Sequence, residues 1–264
     1  MSHKPPLVLK SPQELALMRE AGKVAWQALS LMEEAARPGV TLLELDRLAE
    51  EFLQSEGMTP SFKDYSPPFN RERAYPAAIC ASVNEQVVHG IPTDRKLVRG
   101  DIVGLDLGVC FRGYHADSAR TVEVGRVGKK ARRLMHVTFE SLQAAIDQCH
   151  VGRTMRDISR AIQRTAESGG YSVVRQLTGH GVGKYIHEAP DVPNFVSAGP
   201  GPRLVPGMTL AIEPMVNLGH YDVVSEDDGW TVSTADNSLS AHYEHTVAIT
   251  ETGPVVLTGE PEPE

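Results

Sequence analysis

Asp106 interrupts the apolar run Ile102-Val103-Gly104-Leu105, and Leu107, Gly108 and Val109 resume it. A carboxylate inside such a strand is costly to bury unless its charge is met. Asp117 lies on the returning limb, past a turn at 110–113, where cross-strand neighbours come close. Like charges at that separation repel unless a proton or a cation stands between them. The oddity recurs downstream. Glu213 follows Met208-Thr209-Leu210-Ala211-Ile212, and Glu244 precedes His245-Thr246-Val247-Ala248-Ile249. His180, in Gly179-His180-Gly181-Val182-Gly183, adds a nitrogen donor on what reads as a glycine-rich turn. Singly, a buried Asp is more often a turn or cap residue, and a glycine-flanked His a loop residue. The case for chemistry rests on the set.

That chemistry is metal binding. Four carboxylates balance two divalent cations, and a bridging hydroxide would leave the cluster singly negative, which suits a substrate carrying an N-terminal amine. Oxygen-rich donors with one imidazole fit Mn, Fe, Co or Zn. Two such ions about 3.5–4 Å apart generate hydroxide and polarise a carbonyl together.

The elements that must position these groups are written twice. Ser11-Pro12-Gln13-Glu14 is a capping box with proline at the first helical position. A long helix should follow toward Ala36, closed by Pro38-Gly39. Thr41-Leu42-Leu43-Glu44 opens a second helix that stops near Gly57. The pattern returns as a helix over 129–149, a break at Val151-Gly152, a weaker box at Thr154-Met155-Arg156-Asp157, and a helix ending at Gly169-Gly170. Strands are expected over 78–88, 102–109, 114–124, 209–216, 239–250 and 254–257. Helices paired with antiparallel hairpins make an α+β protein. A repeat of this length implies two halves of like topology, about 11–125 and 126–258, with a cleft between them. Residues 1–10 read as a short tail and 259–264 as an acidic one.

Composition narrows the class. The chain has 264 residues and a net charge of -8, an acidic balance that argues against a nucleic-acid binder. Cys80, Cys110 and Cys149 are an odd number without regular spacing, as in a reduced cytoplasmic protein rather than a disulfide framework. No apolar run is long enough for a signal peptide or a membrane span.

Taken in order, Val88-His89-Gly90-Ile91-Pro92, Gly100-Asp101-Ile102-Val103 leading to Asp106, Tyr114-His115-Ala116-Asp117, Gly179-His180-Gly181-Val182-Gly183 with His187-Glu188-Ala189-Pro190, Ile212-Glu213-Pro214-Met215 and Tyr243-Glu244-His245-Thr246 resemble the type I methionine aminopeptidases. The resemblance runs from about Ser11 to Leu257. It implies the pita-bread fold, with two pseudo-symmetric halves, and metal-dependent release of N-terminal methionine from peptides and nascent proteins. It marks Asp106, Asp117 and Glu244 as ligands of both metals or of the first-filled one, completed by His180 and Glu213. Glu213 would act as general base, His187 would contact the scissile peptide, and His89 would hold the substrate backbone and assist proton transfer. Tyr75, Cys80, Met215 and Trp230 match methionine-pocket positions, although their types alone read as ordinary core. A small second substrate residue is a further family expectation; composition implies a cytoplasmic protein, nothing in the sequence demands more than a monomer, and transient ribosome contact is expected where the substrate emerges.

The chain departs from the pattern at Ile186, where an aromatic is frequent, at His242, where glutamine is common, and at Ala116, where glycine is frequent. The His89–Asp106 spacing is also one residue shorter than in some relatives. Prolidases and Xaa-Pro aminopeptidases usually carry a large N-terminal domain, and here about ten residues precede the first helix. Type II methionine enzymes carry a helical insertion for which the His180–Glu213–Glu244 spacing leaves little room. A catalytically dead binding module would have lost ligands, whereas all five are present.

Overall fold

The computed structural model describes residues 7–66 and 74–260, so the outer parts of both expected tails, 1–6 and 261–264, lie outside the described residues. Helices α1 (Pro12–Ala35), α2 (Leu42–Ser55) and α4 (Met155–Ser168) form at the capping signals, and α3 (Lys129–Ile146) starts after Gly128 without a side-chain cap. Glu14 and Glu44 return to the backbone N–H of Ser11 and Thr41 at 2.8 and 2.7 Å, and Asp157 reaches that of Thr154 at 2.9 Å. Each cap of this kind stabilises its helix by about 1 kcal/mol. The repeated helical signals therefore describe real, matching helix pairs.

The strands of the first half are β1 (Thr59–Pro60), β2 (Cys80–Val83), β3 (Gln86–Val88), β4 (Ile102–Phe111) and β5 (Tyr114–Glu123). Those of the second are β6 (Ser172–Val173), β7 (Thr178–Gly181), β8 (Glu188–Pro193), β9 (Thr209–Ile212), β10 (Met215–Asn217), β11 (Val223–Ser225), β12 (Val232–Thr234), β13 (Ser240–His242), β14 (Glu244–Thr250) and β15 (Gly253–Val256). Among the described residues the main sheet runs β1-β4-β5-β14-β9-β7-β8, with β2 also on β4 and β15 on β14. All of these pairings are antiparallel.

Side-chain alternation divides each strand between two jobs. Val103, Leu105, Leu107 and Val109 of β4 pack with Ala28, Leu29 and Met32 of α1 and Leu45 and Leu53 of α2. Leu210 and Ile212 of β9 and Val247 and Ile249 of β14 pack with Leu134 and Leu142 of α3 and Ile158 and Ile162 of α4. Each half thus buries its own helix pair against its own strands. The intervening positions, Asp106 and Glu244 among them, face the other side of the sheet.

Within the main sheet the halves meet where β5 pairs with β14, Ala119 opposite Glu244 and Ser118 opposite His245, and they meet again where β12 pairs with β3. The Thr246 hydroxyl closes the seam: it accepts from the Asp117 N–H at 2.8 Å and donates to the Asp117 carbonyl at 2.9 Å.

Four expectations need correction. The single strand at 78–88 is two, β2 and β3, which join different sheets around a turn in which Asn84 has φ 56°. The strand at 209–216 breaks at Glu213-Pro214, because proline cannot donate to a ladder. The strand at 239–250 breaks at Tyr243. The glycine-rich turn around His180 is strand β7, with β8 following it. Its glycines serve close packing: a Cβ on Gly179 would lie 2.4 Å from the Ala211 carbonyl oxygen, and one on Gly181 2.2 Å from that of Ala189.

Candidate metal centre

Two rows of side chains cross the sheet. In the first, Cys80, Asp106, Ala119 and Glu244 stand opposite one another on β2, β4, β5 and β14. In the second, Gly108 faces Asp117, and His180 faces Ala211, which faces Thr246. Asp106 and Asp117 are therefore diagonal neighbours on one face rather than directly opposed, a separation still within reach of their carboxylates. Small residues, Ala119 in the first row and Gly108 and Ala211 in the second, stand beside the polar groups. Gly108 keeps the Asp117 row open: a Cβ there would lie 2.7 Å from Ser61 and 3.1 Å from Ile186 Cδ1.

Asp117, His180 and Glu244 each present a donor atom within 4.8 Å of the others, and all three are buried. The His180 ring is oriented by its Nδ1, 2.9 Å from the Gly181 carbonyl oxygen. That bond turns Nε2 inward, 3.8 Å from Asp117 Oδ2 and 3.6 Å from Glu213 Oε1. Glu213 sits just past the end of β9, its side chain 13% exposed. It is the one carboxylate of the set at the mouth rather than the floor.

The floor is electrostatically incomplete as protein alone. Asp106 Oδ1, Asp117 Oδ1 and Glu244 Oε1 are buried without hydrogen-bond partners, as is His242 Nε2. Burial, then the neighbouring charges of Asp117 and Glu213, push the Asp106 carboxyl well above the usual range. Burial raises Asp117 to about 7, and burial followed by the charges of Asp117, Glu213 and Asp106 raises Glu244. Carboxylates so placed cannot all ionise unless cations join them. Oxygen donors with one oriented imidazole are the set that Mn, Fe, Co and Zn accept, so the residues fit divalent metal.

Around the floor stand the remaining expected residues. The His187 ring lies 4.4 Å from that of His180, and its Nδ1 is 2.8 Å from the Tyr65 hydroxyl. His89 has a left-handed backbone, φ 59°, a conformation that non-glycine residues adopt rarely and that gathers at functional sites. Burial holds its imidazole down to about 4. Burial, with His89 nearby, lowers His242 to about 3. Tyr75, Cys80 and Trp230 share an apolar cluster with Phe62, Tyr65 and Ile186. Tyr75 meets Trp230 edge-on at 5.1 Å and binds the Gly90 carbonyl at 2.9 Å. Met215 does not join that cluster. It is fully buried with Val87, Val88 and Val174.

Sequence reasoning left two groups here unassigned. Tyr65 lies far from His187 in the chain, in a segment with no periodic signal. His242 was visible only as a departure, yet its Nε2 stands 3.8 Å from Glu213 Oε2 and 4.0 Å from Glu244 Oε2.

The model of metallopeptidase family M24 matches residues 16–251. A methionine aminopeptidase of Clostridium perfringens is 50% identical over 96% of this chain and 98% of its own length. The chain belongs to the methionine aminopeptidases of family M24. The methionine aminopeptidase structure from Rickettsia prowazekii superposes with a TM-score of 0.91 at 38% identity, over 96% of this chain and all of that one. The prolidase of Pyrococcus furiosus has a TM-score of 0.77 at 24% identity, over 97% of this chain but 66% of that one, and shares the fold alone. M24 membership makes the chain a metallohydrolase of the pita-bread fold, in keeping with the orphaned carboxylates. Among the described residues of this M24 chain, no helix is long and apolar enough to cross a membrane.

Proposed function

We propose that this chain releases N-terminal methionine from peptides and newly made proteins, holding two divalent cations with Asp106, Asp117, His180, Glu213 and Glu244. One observation carries the reading: buried, unpartnered carboxylate oxygens from both halves converge with an oriented imidazole. When bound, the metal would act as a Lewis acid and bring a water molecule near neutral pKa. The protein's own groups do the rest. Glu213, at the mouth, takes the proton from the attacking water and returns it to the leaving amine. His187 keeps its Nδ1 on Tyr65 and offers Nε2 to the scissile carbonyl oxygen, where a contact strengthens as charge develops. His89, held neutral by burial, orients the substrate backbone and relays protons.

The methionine side chain would lie against Tyr75, Cys80 and Trp230, an apolar and polarisable surface. A small second residue is preferred. The free amine requirement makes the enzyme an exopeptidase, and it works as a cytoplasmic monomer on emerging chains, in transient contact with the ribosome. Residues 11–258 form one catalytic unit, with halves at 11–125 and 126–258. Mn, Fe, Co and Zn all suit the donors.

Hydrolysis of Met-Ala-Ser and Met-Lys-Ser by chelator-stripped protein, before and after adding Mn or Co, tests this reading. Metal-dependent methionine release from Met-Ala-Ser alone is expected. Folded protein that releases none with any metal would instead be a binding module on the same fold.

A further inference from the structure

Lys10 closes the segment expected to be a tail, yet its side chain is 2% exposed. Its Nζ lies 2.5 Å from Glu188 Oε2 and donates to the Val8 carbonyl at 2.9 Å. Its backbone N–H is bound to the Gly207 carbonyl at 2.7 Å. Glu188 is as deeply buried, also 2% exposed. Its second oxygen, Oε1, accepts from the Tyr185 N–H at 3.1 Å. Gly183 shows how closely the chain is moulded to this pair. A Cβ there would stand 2.2 Å from Lys10 Cε and 2.8 Å from Glu188 Oε1.

The ion pair therefore packs against Gly183 at one end of the bend 183–188 and, through Glu188, holds Tyr185 and the other end. His187 is carried on that turn, next to Glu188. Its imidazole is fixed at the far end by Tyr65 and lies against His180, so the backbone beneath it is the remaining freedom. Buried ion pairs are poor stabilisers, because desolvation offsets most of their attraction and an apolar pair of the same shape does as well. They do impose direction, through short charge-assisted bonds of fixed geometry. Glu188 spends one oxygen on the lysine and the other on the turn itself, an arrangement that an apolar contact would not reproduce.

We propose that Lys10 and Glu188 are positioning residues for His187, so that the segment before the first helix sets the geometry of the active site. The inference rests on the reading of His187 as the group that meets the scissile carbonyl.

The test compares metal-loaded, full-length wild type with Lys10→Met, Lys10→Met/Glu188→Gln and His187→Ala. Steady-state rates on Met-Ala-Ser, the imidazole nitrogen resonances of His187 and His245, and the melting temperature are measured for each. Lys10→Met leaves a lone buried carboxylate, and kcat is expected to fall roughly tenfold with KM within about twofold, since a small misplacement of a catalytic group acts on the chemical step. The His187 resonance moves and that of His245, bound to Thr258, does not. In the double variant the side-chain amide oxygen that replaces the carboxylate still accepts from the Tyr185 N–H, and kcat recovers to within roughly threefold of wild type. Wild-type kcat and an unmoved His187 resonance in both variants, whatever the melting temperature, would reduce the pair to a fastening of the chain and overturn the proposal. If Lys10→Met does not fold, the resonances of the double variant decide: a moved His187 signal beside an unmoved His245 signal supports the proposal, and an unmoved His187 signal overturns it. If His187→Ala is as fast as wild type, the role given to His187 fails, and the His187 resonance alone decides whether Lys10 positions it.

Discussion

Asp106 and Glu244 face the same alanine from opposite sides. Ala119 on β5 is in register with Asp106 on β4 and with Glu244 on β14, so a carboxylate from each half looks across one methyl group. Ala119 is itself buried. The room between the two carboxylates is therefore set by the smallness of a residue that carries no chemistry.

Ala119→Leu should fill that room. Overpacking of this kind costs about 1–3 kcal/mol, which a folded domain of this size tolerates. Metal affinity, measured by titration calorimetry, should fall at least roughly tenfold, the scale seen when the support of a metal site is disturbed. Undiminished affinity in a folded variant would show that the space beside Ala119 does not admit the metal.

Asp117 gives a pH test in the metal-free protein. Burial raises its pKa from 3.8 to about 7 in the folded state. The folded state then holds a proton that the unfolded state has released, so stability falls as pH rises through that window. The Asp117→Asn variant, which cannot ionise, should match wild type near pH 4 and melt increasingly above it as pH approaches 7. Taking the difference cancels the contributions of the buried histidines. A gap independent of pH would mean that Asp117 is already ionised without metal.

Tyr65→Phe removes the hydroxyl that meets His187 Nδ1 and leaves the ring in its apolar cluster. A loss of kcat of roughly three- to tenfold with little change in KM is expected from such an orienting bond. His187→Ala should lose more, again mostly in kcat. A change confined to KM in either variant would assign His187 to ground-state binding.

The cysteines should differ in reactivity. Burial and the Asp106 charge push the Cys80 thiol well above its usual value, and burial raises Cys149 to about 12, while Cys110 is half-buried. Thiols held protonated are poor nucleophiles. Brief treatment of native protein with iodoacetamide, read by mass spectrometry, should label Cys110 first. Rapid labelling of Cys80 would contradict its burial and its protonated thiol.

What sequence could reveal follows from range. Asp106, Glu213 and Glu244 are legible because each interrupts or borders a local apolar run, Asp117 because it lies on the returning limb beside Asp106, and three of the helices because each capping box spans only four residues. The strand carrying His180 was hidden because Gly179 and Gly181 look like turn formers, and only the three-dimensional approach of Ala211 and Ala189 explains them. The Tyr65–His187 and Lys10–Glu188 contacts join residues from opposite parts of the chain, beyond any periodic signal. The diagonal placement of Asp106 and Asp117 needed the strand register, which one side-chain pattern does not specify.

The ladder between β5 and β14 is short: two register pairs, reinforced by the paired bonds of the Thr246 hydroxyl and by the Ser118 hydroxyl on the Glu244 carbonyl. Cooperative units of a protein open first where few contacts hold them together. A ligand that binds only the closed form raises the cost of that opening by its own binding free energy. Cations held by Asp106 and Asp117 on one bank and His180 and Glu244 on the other would act as rivets across the junction. Metal starvation would then expose the seam amides to hydrogen exchange and proteases, so that cation supply governs how long each molecule survives as well as how fast it turns over.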